Sequence, residues 1–179
     1  NILLSWVESG VVAIPEIQRP FVWSKSQVRN LIDSLYQGYP VGYIITWQNP
    51  DVRLKDGTNS KGKTILIDGQ QRITALKAAL DGQEVVNNKY ELGRITIAFH
   101  PIKQQFETST PAIQRDKEWI SDISKVMIDN FDLYTLIEQY ANNNPDIDKS
   151  LISNRLKELI DIKTRTIGEL EINSEVQIE

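Results

Sequence analysis

Residues 68–72 (Asp-Gly-Gln-Gln-Arg) combine side chains and backbone features that could bind a phosphate group. The apolar run at 65–67 precedes them and a helical pattern follows, so the sequence predicts a strand-to-helix turn. The N-terminus of a helix attracts anions through its free N–H groups and the positive end of its dipole. Arg72 adds a guanidinium that matches phosphate oxygens, Gly69 lets a ligand approach the backbone, and Asp68 could hold a metal ion or orient a water.

The same residues also fit an ordinary helix start. Asp68 could be the N-cap, and Gln71 could complete a capping box. Asp-Gly is also a common pair in turns. The residue types alone leave both interpretations open.

A second polar pair lies upstream, in a segment that the sequence predicts to be extended. Gln18 and Arg19 stand among apolar residues and between Pro15 and Pro20, ahead of a predicted amphipathic helix. If Arg19 has no chemical role, it is simply an exposed residue on the edge of a strand.

Together the two segments resemble the domain of unknown function 262 family, which is placed in the ParB/sulfiredoxin-like superfamily. The family pattern reads Ile-Pro-x-x-Gln-Arg-x-x-x-Trp, then Gly-x-Pro-x-Gly-x-Ile-x-x-Trp, then Ile-Asp-Gly-Gln-Gln-Arg. Three ordered motifs over about sixty residues are more specific than one short motif. The resemblance is strong over residues 1–100 and thinner beyond. The matching positions are Ile14, Pro15, Gln18, Arg19 and Trp23, then Gly38, Pro40, Gly42, Ile44 and Trp47, and finally residues 67–72.

The resemblance implies an α+β fold, with a small mixed sheet of the ParB/sulfiredoxin-like type, flanking helices and a helical extension. We expect a nucleotide-binding domain over residues 1–115 and the extension over residues 116–179. The chain begins without Met, and residues 173–179 stop before a Phe-x-Arg-x-Asn element that family members usually carry. We therefore expect a piece of a longer protein, truncated at its C-terminal end.

The resemblance also implies a function. Such domains are nucleotide-binding, NTP-hydrolysing sensors of GmrSD-type modification-dependent restriction enzymes and related phage-defence systems. The expected cofactors are a nucleoside triphosphate of unspecified base and Mg²⁺. The expected partners are a nuclease domain or subunit of the HNH type and DNA, contacted through the full-length protein.

Seven residues are expected to form the site. Phosphates would lie over the N–H groups of residues 69–72, between the guanidinium groups of Arg72 and Arg19. The expected catalytic residues are Asp68, Arg72 and Arg19, the expected nucleotide-binding residues are Gln18, Gly69, Gln70 and Gln71, and the expected metal ligand is Asp68.

Two alternatives remain open. A non-catalytic ParB-like clamp would bind nucleotide without needing to hydrolyse it. A DNA- or protein-interaction module would instead use the basic cluster Arg53, Lys55, Lys61 and Lys63.

Composition narrows the class of protein. The net charge is −4 and the pI about 5.2, so no overall positive field draws the chain onto DNA. The absence of Cys excludes disulfides and thiol catalysis and fits the cytoplasm, where we expect the protein. No apolar stretch reaches the ~20 residues that span a bilayer, so no membrane contact is expected.

His100 is the only histidine and cannot assemble an HNH centre, so we expect it to be a capping or surface residue.

Two other motifs match known patterns in the wrong context. Residues 57–64 fit the P-loop expression G-x-x-x-x-G-K-T, but a predicted strand follows them where a P-loop requires a helix. Pro145-Asp146 with residues 161–163 imitates the PD-(D/E)xK nucleases, which place their acids on adjoining strands. Here the second half falls on or beside an amphipathic helix, so we expect a solvent-exposed face.

Periodicity and turn residues predict the remaining elements. Helices are expected over 2–8, from the cap Ser24 to about Gln37, over 70–80, and twice beyond residue 121, with a break at 142–145. Strands are expected over 11–14, 42–47, 64–67, 93–99 and 164–172. Loops are expected over 49–63 and through Pro101 and Pro111. Trp23 and Trp47 are expected to pack near the site, whereas Trp119 receives no role.

Overall fold

The computed structural model describes Ser9 and residues 12–13, 20–48, 64–87 and 89–172. Within these residues the chain forms an α+β fold, which confirms the predicted class, while the ParB/sulfiredoxin-like character of the sheet stays a prediction. The helices are α1 (Lys25–Tyr36), α2 (Gln70–Leu80), α3 (Pro111–Arg115), α4 (Leu133–Asn143) and α5 (Lys149–Ile160), with 3₁₀ helices at Ile123–Lys125 and Asp161–Thr164. The strands are β1 (Val12–Ala13), β2 (Tyr43–Gln48), β3 (Thr64–Asp68), β4 (Glu84–Val86), β5 (Leu92–Arg94), β6 (Ile97–His100), β7 (Gln105–Thr108) and β8 (Gly168–Ile172).

The main sheet is mixed and has the order β1-β3-β2-β8. Strand β3 runs parallel to β1 and antiparallel to β2, and β2 runs parallel to β8. Two separate antiparallel pairs, β4–β5 and β6–β7, lie outside this sheet. Strand β3 is an inner strand: β1 pairs with its first two residues, Thr64 and Ile65, and β2 pairs with it as far as Asp68.

Helix α1 forms where the sequence predicts it. Ser24 and Gln27 make a reciprocal capping box at its start. Its buried face includes the four predicted residues, Val28, Leu31, Ile32 and Leu35, and also Tyr36. Polar residues beside this buried face, Gln27, Asn30 and Ser34, line a surface cavity.

Helix α2 also has its predicted bounds. Its first residue follows Gly69, and its buried residues include the predicted Ile73, Leu76, Ala79 and Leu80. Helices α1 and α2 contact each other and belong to one hydrophobic core. The packing of α2 therefore fixes the direction in which its N-terminus points.

The core includes side chains from both sides of the predicted boundary at residues 115/116. Tyr36, Phe99 and Phe106 form an aromatic cluster with ring centroids 4.7–5.4 Å apart. The hydroxyl of Tyr36 donates to Glu158 Oε2 at 2.8 Å, which ties α1 to α5. Strand β8 completes the main sheet. The division into two domains stays a prediction, and the structure shows these close connections across it.

The middle of the chain differs from the prediction. The expected strand over 93–99 is two strands, β5 and β6, which belong to different pairs. The expected loop beyond His100 contains β7 and α3, and the expected strand over 164–172 is limited to β8. Strand β4 had no predicted counterpart.

His100 is buried, with 2% of its surface exposed, so the expectation of a surface position was wrong. Its Nδ1 accepts from the backbone N–H of Lys103 at 3.4 Å, which caps the following turn as expected. Its Nε2 lies 3.0 Å from Glu118 Oε2. Trp119 packs edge-on against the imidazole with ring centroids 5.1 Å apart, which gives this tryptophan a packing role.

The two misleading motifs lie in the wrong elements for their chemistry. Thr64, which would open the helix of a P-loop, begins strand β3 instead. Asp161 is the C-cap of α5, and Lys163 Nζ donates to the carbonyl of Met127. Lys163 is therefore half-buried, not part of a fully exposed face as expected.

Several predictions concern segments that lie outside the described residues: the helix over 2–8, the loop over 49–63, most of the P-loop match and the basic cluster between Arg53 and Lys63. None of the helices in the part that is described has the length and apolar character needed to cross a membrane.

Candidate functional site

Gly69 is the N-cap of α2 and stands directly after β3. It has φ +99°, in the left-handed region that favours glycine, and among the described residues no side chain caps the helix. The first amide that bonds back to the turn is that of Ile73, which donates to the Gly69 carbonyl at 3.0 Å. In an α-helix the preceding amides have no intrahelical partner. The interpretation of Asp68 as N-cap, with Gln71 in a capping box, was therefore wrong.

A side chain at position 69 is also excluded by packing. An added Cβ would lie 2.7 Å from Ile44 Cγ2 and 3.4 Å from Ile44 Cα. Strand β2 thus presses against the turn from one side. The glycine therefore keeps this turn tight.

The Arg72 guanidinium has a fixed orientation. Its Nη1 donates to the Val41 carbonyl at 3.1 Å, and its Nη2 donates to Asp68 Oδ2 at 3.1 Å. The Arg72 side chain is 17% exposed, whereas that of Asp68 is 63% exposed. An added Cβ on Gly42, which has φ +85°, would lie 2.7 Å from Nη1. The glycine at position 42 therefore makes room for the guanidinium.

The two glutamines at the start of α2 bind backbone atoms. Gln71 Nε2 donates to the Pro20 carbonyl at 3.1 Å, and Gln71 Oε1 accepts from the Val22 N–H at 2.9 Å. Gln70 Nε2 donates to the Leu66 carbonyl at 3.4 Å. The amide of Gln71 therefore holds the segment that follows Arg19 in the sequence against α2.

These residues border an open cleft of about 560 Å³. Its lining consists of residues 67–72 and Trp23, which is half-buried. The structure thus brings together five of the seven predicted site residues, Asp68, Gly69, Gln70, Gln71 and Arg72. Gln18 and Arg19 lie outside the described residues. The position of Trp23 agrees with the expectation that it packs near the site.

Two partners of the site were missed from the sequence. The Val41 carbonyl that binds Arg72 is a backbone group, which no side-chain pattern reveals. The role of Gly42 had a signal, because this glycine belongs to the family pattern. Its match could have pointed to a close approach by another group.

In the described part of the chain, no three His, Cys, Asp or Glu side chains lie close enough to hold a metal ion. Asp68 is the carboxylate that lines the cleft. Mg²⁺ is commonly held by one or two carboxylates together with substrate phosphates and waters. Asp68 therefore fits a magnesium ion that arrives with a nucleotide, and does not by itself make a protein cage for the ion.

The fold and the turn define an α+β domain with an uncapped helix N-terminus beside a restrained arginine. The chain belongs to the family described as the GmrSD restriction endonuclease, N-terminal domain, whose model matches residues 3–178. This confirms the resemblance drawn from the three motifs and makes the chain a restriction- or defence-associated domain.

The chain is also similar to an uncharacterized protein of Methanocaldococcus jannaschii. The two are 33% identical over 85 residues, which are 40% of this chain and 15% of that protein. The matched part is thus a small fraction of the relative's length.

Proposed function

We propose that this domain binds a nucleoside triphosphate (NTP) with its phosphates at the N-terminus of α2, and that the whole protein hydrolyses it. The observation that carries the proposal is the uncapped start of α2, which opens onto the same cleft as the Arg72 guanidinium. An uncapped helix N-terminus favours an anion, and a guanidinium matches phosphate oxygens.

The restraint of Arg72 supports a role in stabilising charge. Its contacts to the Val41 carbonyl and to Asp68 fix the guanidinium before any ligand arrives. A preorganised donor stabilises a developing charge without a cost of reorganisation. Arg72 could therefore neutralise phosphate charge in the bound state and in the transition state.

Arg19 is proposed as the second cation of the site. Its neighbour Pro20 is bound by Gln71 on the first turn of α2. Because Arg19 directly precedes Pro20 in the sequence, this contact is the observation that supports the proposal.

In the proposed hydrolysis, a water oxygen attacks the γ-phosphorus and the bond to the bridging oxygen breaks. The products are a nucleoside diphosphate and inorganic phosphate, with a proton released to solvent. Arg72 and the amides of residues 70–72 would stabilise the phosphate oxygens, and Asp68 would orient the water or help to hold Mg²⁺. Mg²⁺, when bound, supplies charge neutralisation between the phosphates.

The experiment is a comparison of binding and of phosphate release with each of the four ribonucleoside triphosphates. Arg72→Ala should weaken NTP binding and lower any turnover by about 10²–10³-fold, as loss of one oriented donor does elsewhere. Arg115→Ala, which removes an exposed arginine on α3, is the matched control and should change neither. Equal affinity and equal rates for the wild type and Arg72→Ala would contradict the proposal.

The same assay separates hydrolysis from the clamp alternative. Stoichiometric NTP binding without phosphate release by the full-length protein would favour a ParB-like clamp. We further propose that DNA cleavage belongs to a nuclease domain or subunit of the HNH type, because this chain has one histidine and no cysteine. DNA would then be a partner of the assembled protein.

A further inference from the structure

A second cavity adjoins the proposed phosphate cleft. It has a volume of about 240 Å³ and shares Trp23 and Arg72 with the larger cleft. The two spaces therefore adjoin at these two side chains. Together they fall within the ~300–1,000 Å³ that small-molecule sites usually occupy.

The wall of the second cavity is the polar side of α1. Gln27, Asn30 and Ser34 line it, and their spacing of three and four residues places them on one helix face. Leu31 and Val41 add apolar surface to the same cavity. The cavity thus combines an apolar lining with a short row of polar groups.

Two of these polar side chains have unused hydrogen-bonding groups. Among the described residues, neither the Asn30 amide nor the Ser34 hydroxyl has a side-chain hydrogen-bond partner. The oxygen of Gln27 accepts from Ser24 in the capping box. A ligand in this cavity could therefore both accept from and donate to the amide of Asn30. The hydroxyl of Ser34 could serve as its donor or its acceptor.

We propose that this second cavity binds the nucleoside end of the NTP whose phosphates occupy the neighbouring cleft. This inference rests on the proposed function. A nucleobase has apolar faces and a polar edge, so it can stack on an aromatic side chain and bond to an amide. Trp23 supplies the aromatic surface and Asn30 the amide. Arg72 lies between the two ends of the ligand and contacts both cavities.

Inorganic tripolyphosphate tests the inference, because it carries the phosphates of an NTP without a nucleoside. The probes are tripolyphosphate and the four ribonucleoside triphosphates, and the readout is the dissociation constant of each. Wild type should bind at least one NTP more tightly than tripolyphosphate. Asn30→Ala should raise the dissociation constant of that NTP by about five- to tenfold, as loss of a paired amide does. It should leave the binding of tripolyphosphate unchanged.

Ser34→Ala is a second variant and should act in the same direction. Asn154→Ala is the matched control, because Asn154 is an exposed helical asparagine on α5 that lines neither cavity. Thermal unfolding of each variant shows whether the fold is intact. Arg72→Ala should weaken the binding of both kinds of probe.

The outcomes distinguish this inference from the proposed function. If wild type binds tripolyphosphate and every NTP equally, or if Asn30→Ala and Ser34→Ala leave the NTP affinity unchanged, the nucleoside site is overturned while the phosphate site stands. If wild type binds none of the probes, the proposed function falls and the nucleoside site with it.

Discussion

The side chain of Gln71 donates a hydrogen bond to the carbonyl oxygen of Pro20, 3.1 Å away and 51 residues earlier in the chain. Its oxygen accepts from the N–H of Val22. The backbone N–H of Phe21, between these two residues, donates to the carbonyl of Val86 at 3.2 Å. The segment after Arg19 is thus held from two sides, and Gln71 joins two of the sequence motifs into one unit.

Replacing Gln71 with leucine should remove both hydrogen bonds while keeping a similar side-chain volume. We expect the free energy of unfolding to fall by about 1 kcal/mol, because these groups are partly exposed and water can replace some of the bonds. Urea denaturation measures the change. The same substitution at the exposed Gln139 on α4 is the control. If the two variants unfold at the same urea concentration, Gln71 does not hold the segment in place.

Replacing Gly69 with alanine should destabilise the domain. The left-handed conformation costs an L-residue about 1–2 kcal/mol, and the contact with Ile44 adds to this cost. Gly93→Ala is the control, because an added Cβ there meets no atom within 4 Å and its effect should stay within about 0.5 kcal/mol. The measurement is the midpoint of thermal unfolding of each variant. A Gly69→Ala variant as stable as Gly93→Ala would show that the turn does not require glycine.

Much of the fold could be predicted because its signals are local. Helix α1 is specified by the cap at Ser24 and by the spacing of the apolar residues from Val28 to Leu35. All of these signals lie within the twelve residues of the helix or directly before it. Strand β7 was missed because its four residues contain one fully buried apolar side chain, Phe106, which gives little periodicity. The parallel pairing of β8 with β2 joins residues far apart in the sequence, and no local pattern specifies it.

The part of the candidate cleft that could be predicted consists of consecutive residues, 68–72. The turn at Gly69 follows from an apolar run that meets a helical pattern, and both signals are local. The anchoring of Pro20 by Gln71 depends on a side-chain direction that only the packed α2 defines. The contact between Arg72 and the Val41 carbonyl involves a backbone atom and is likewise set by tertiary packing.

Replacing Asp68 with asparagine should separate the two electrostatic roles proposed for this carboxylate. Asp68 is largely exposed, so loss of its ion pair with Arg72 should change stability by no more than about 1 kcal/mol. Without Mg²⁺, tripolyphosphate should bind the variant more tightly, because a negative charge has left the cleft. With Mg²⁺, the gain in affinity that the ion gives should be smaller than in wild type. An unchanged magnesium effect would remove Asp68 from the metal site.

Alkaline pH should destabilise the domain through Tyr140. Burial, together with the negative charges of Glu118 and Asp116, raises the pKa of Tyr140 to about 12. Above pH 10 the unfolded chain loses this proton while the folded chain keeps it, so stability falls as pH rises from 10 to 12. Tyr140→Phe removes this effect and also the hydrogen bond from the hydroxyl to the Glu118 carbonyl. The stability difference between wild type and Tyr140→Phe should therefore shrink above pH 10, and a constant difference would contradict the shifted pKa.

The central claim is that the first amides of α2 hold phosphate. It is tested most directly by nuclear magnetic resonance of the ¹⁵N-labelled protein during titration with tripolyphosphate. We predict that the amide signals of residues 70–72 shift most, with saturation, and that Arg72→Ala weakens the apparent affinity. Saturable shifts elsewhere, with these three amides unmoved, would contradict the account.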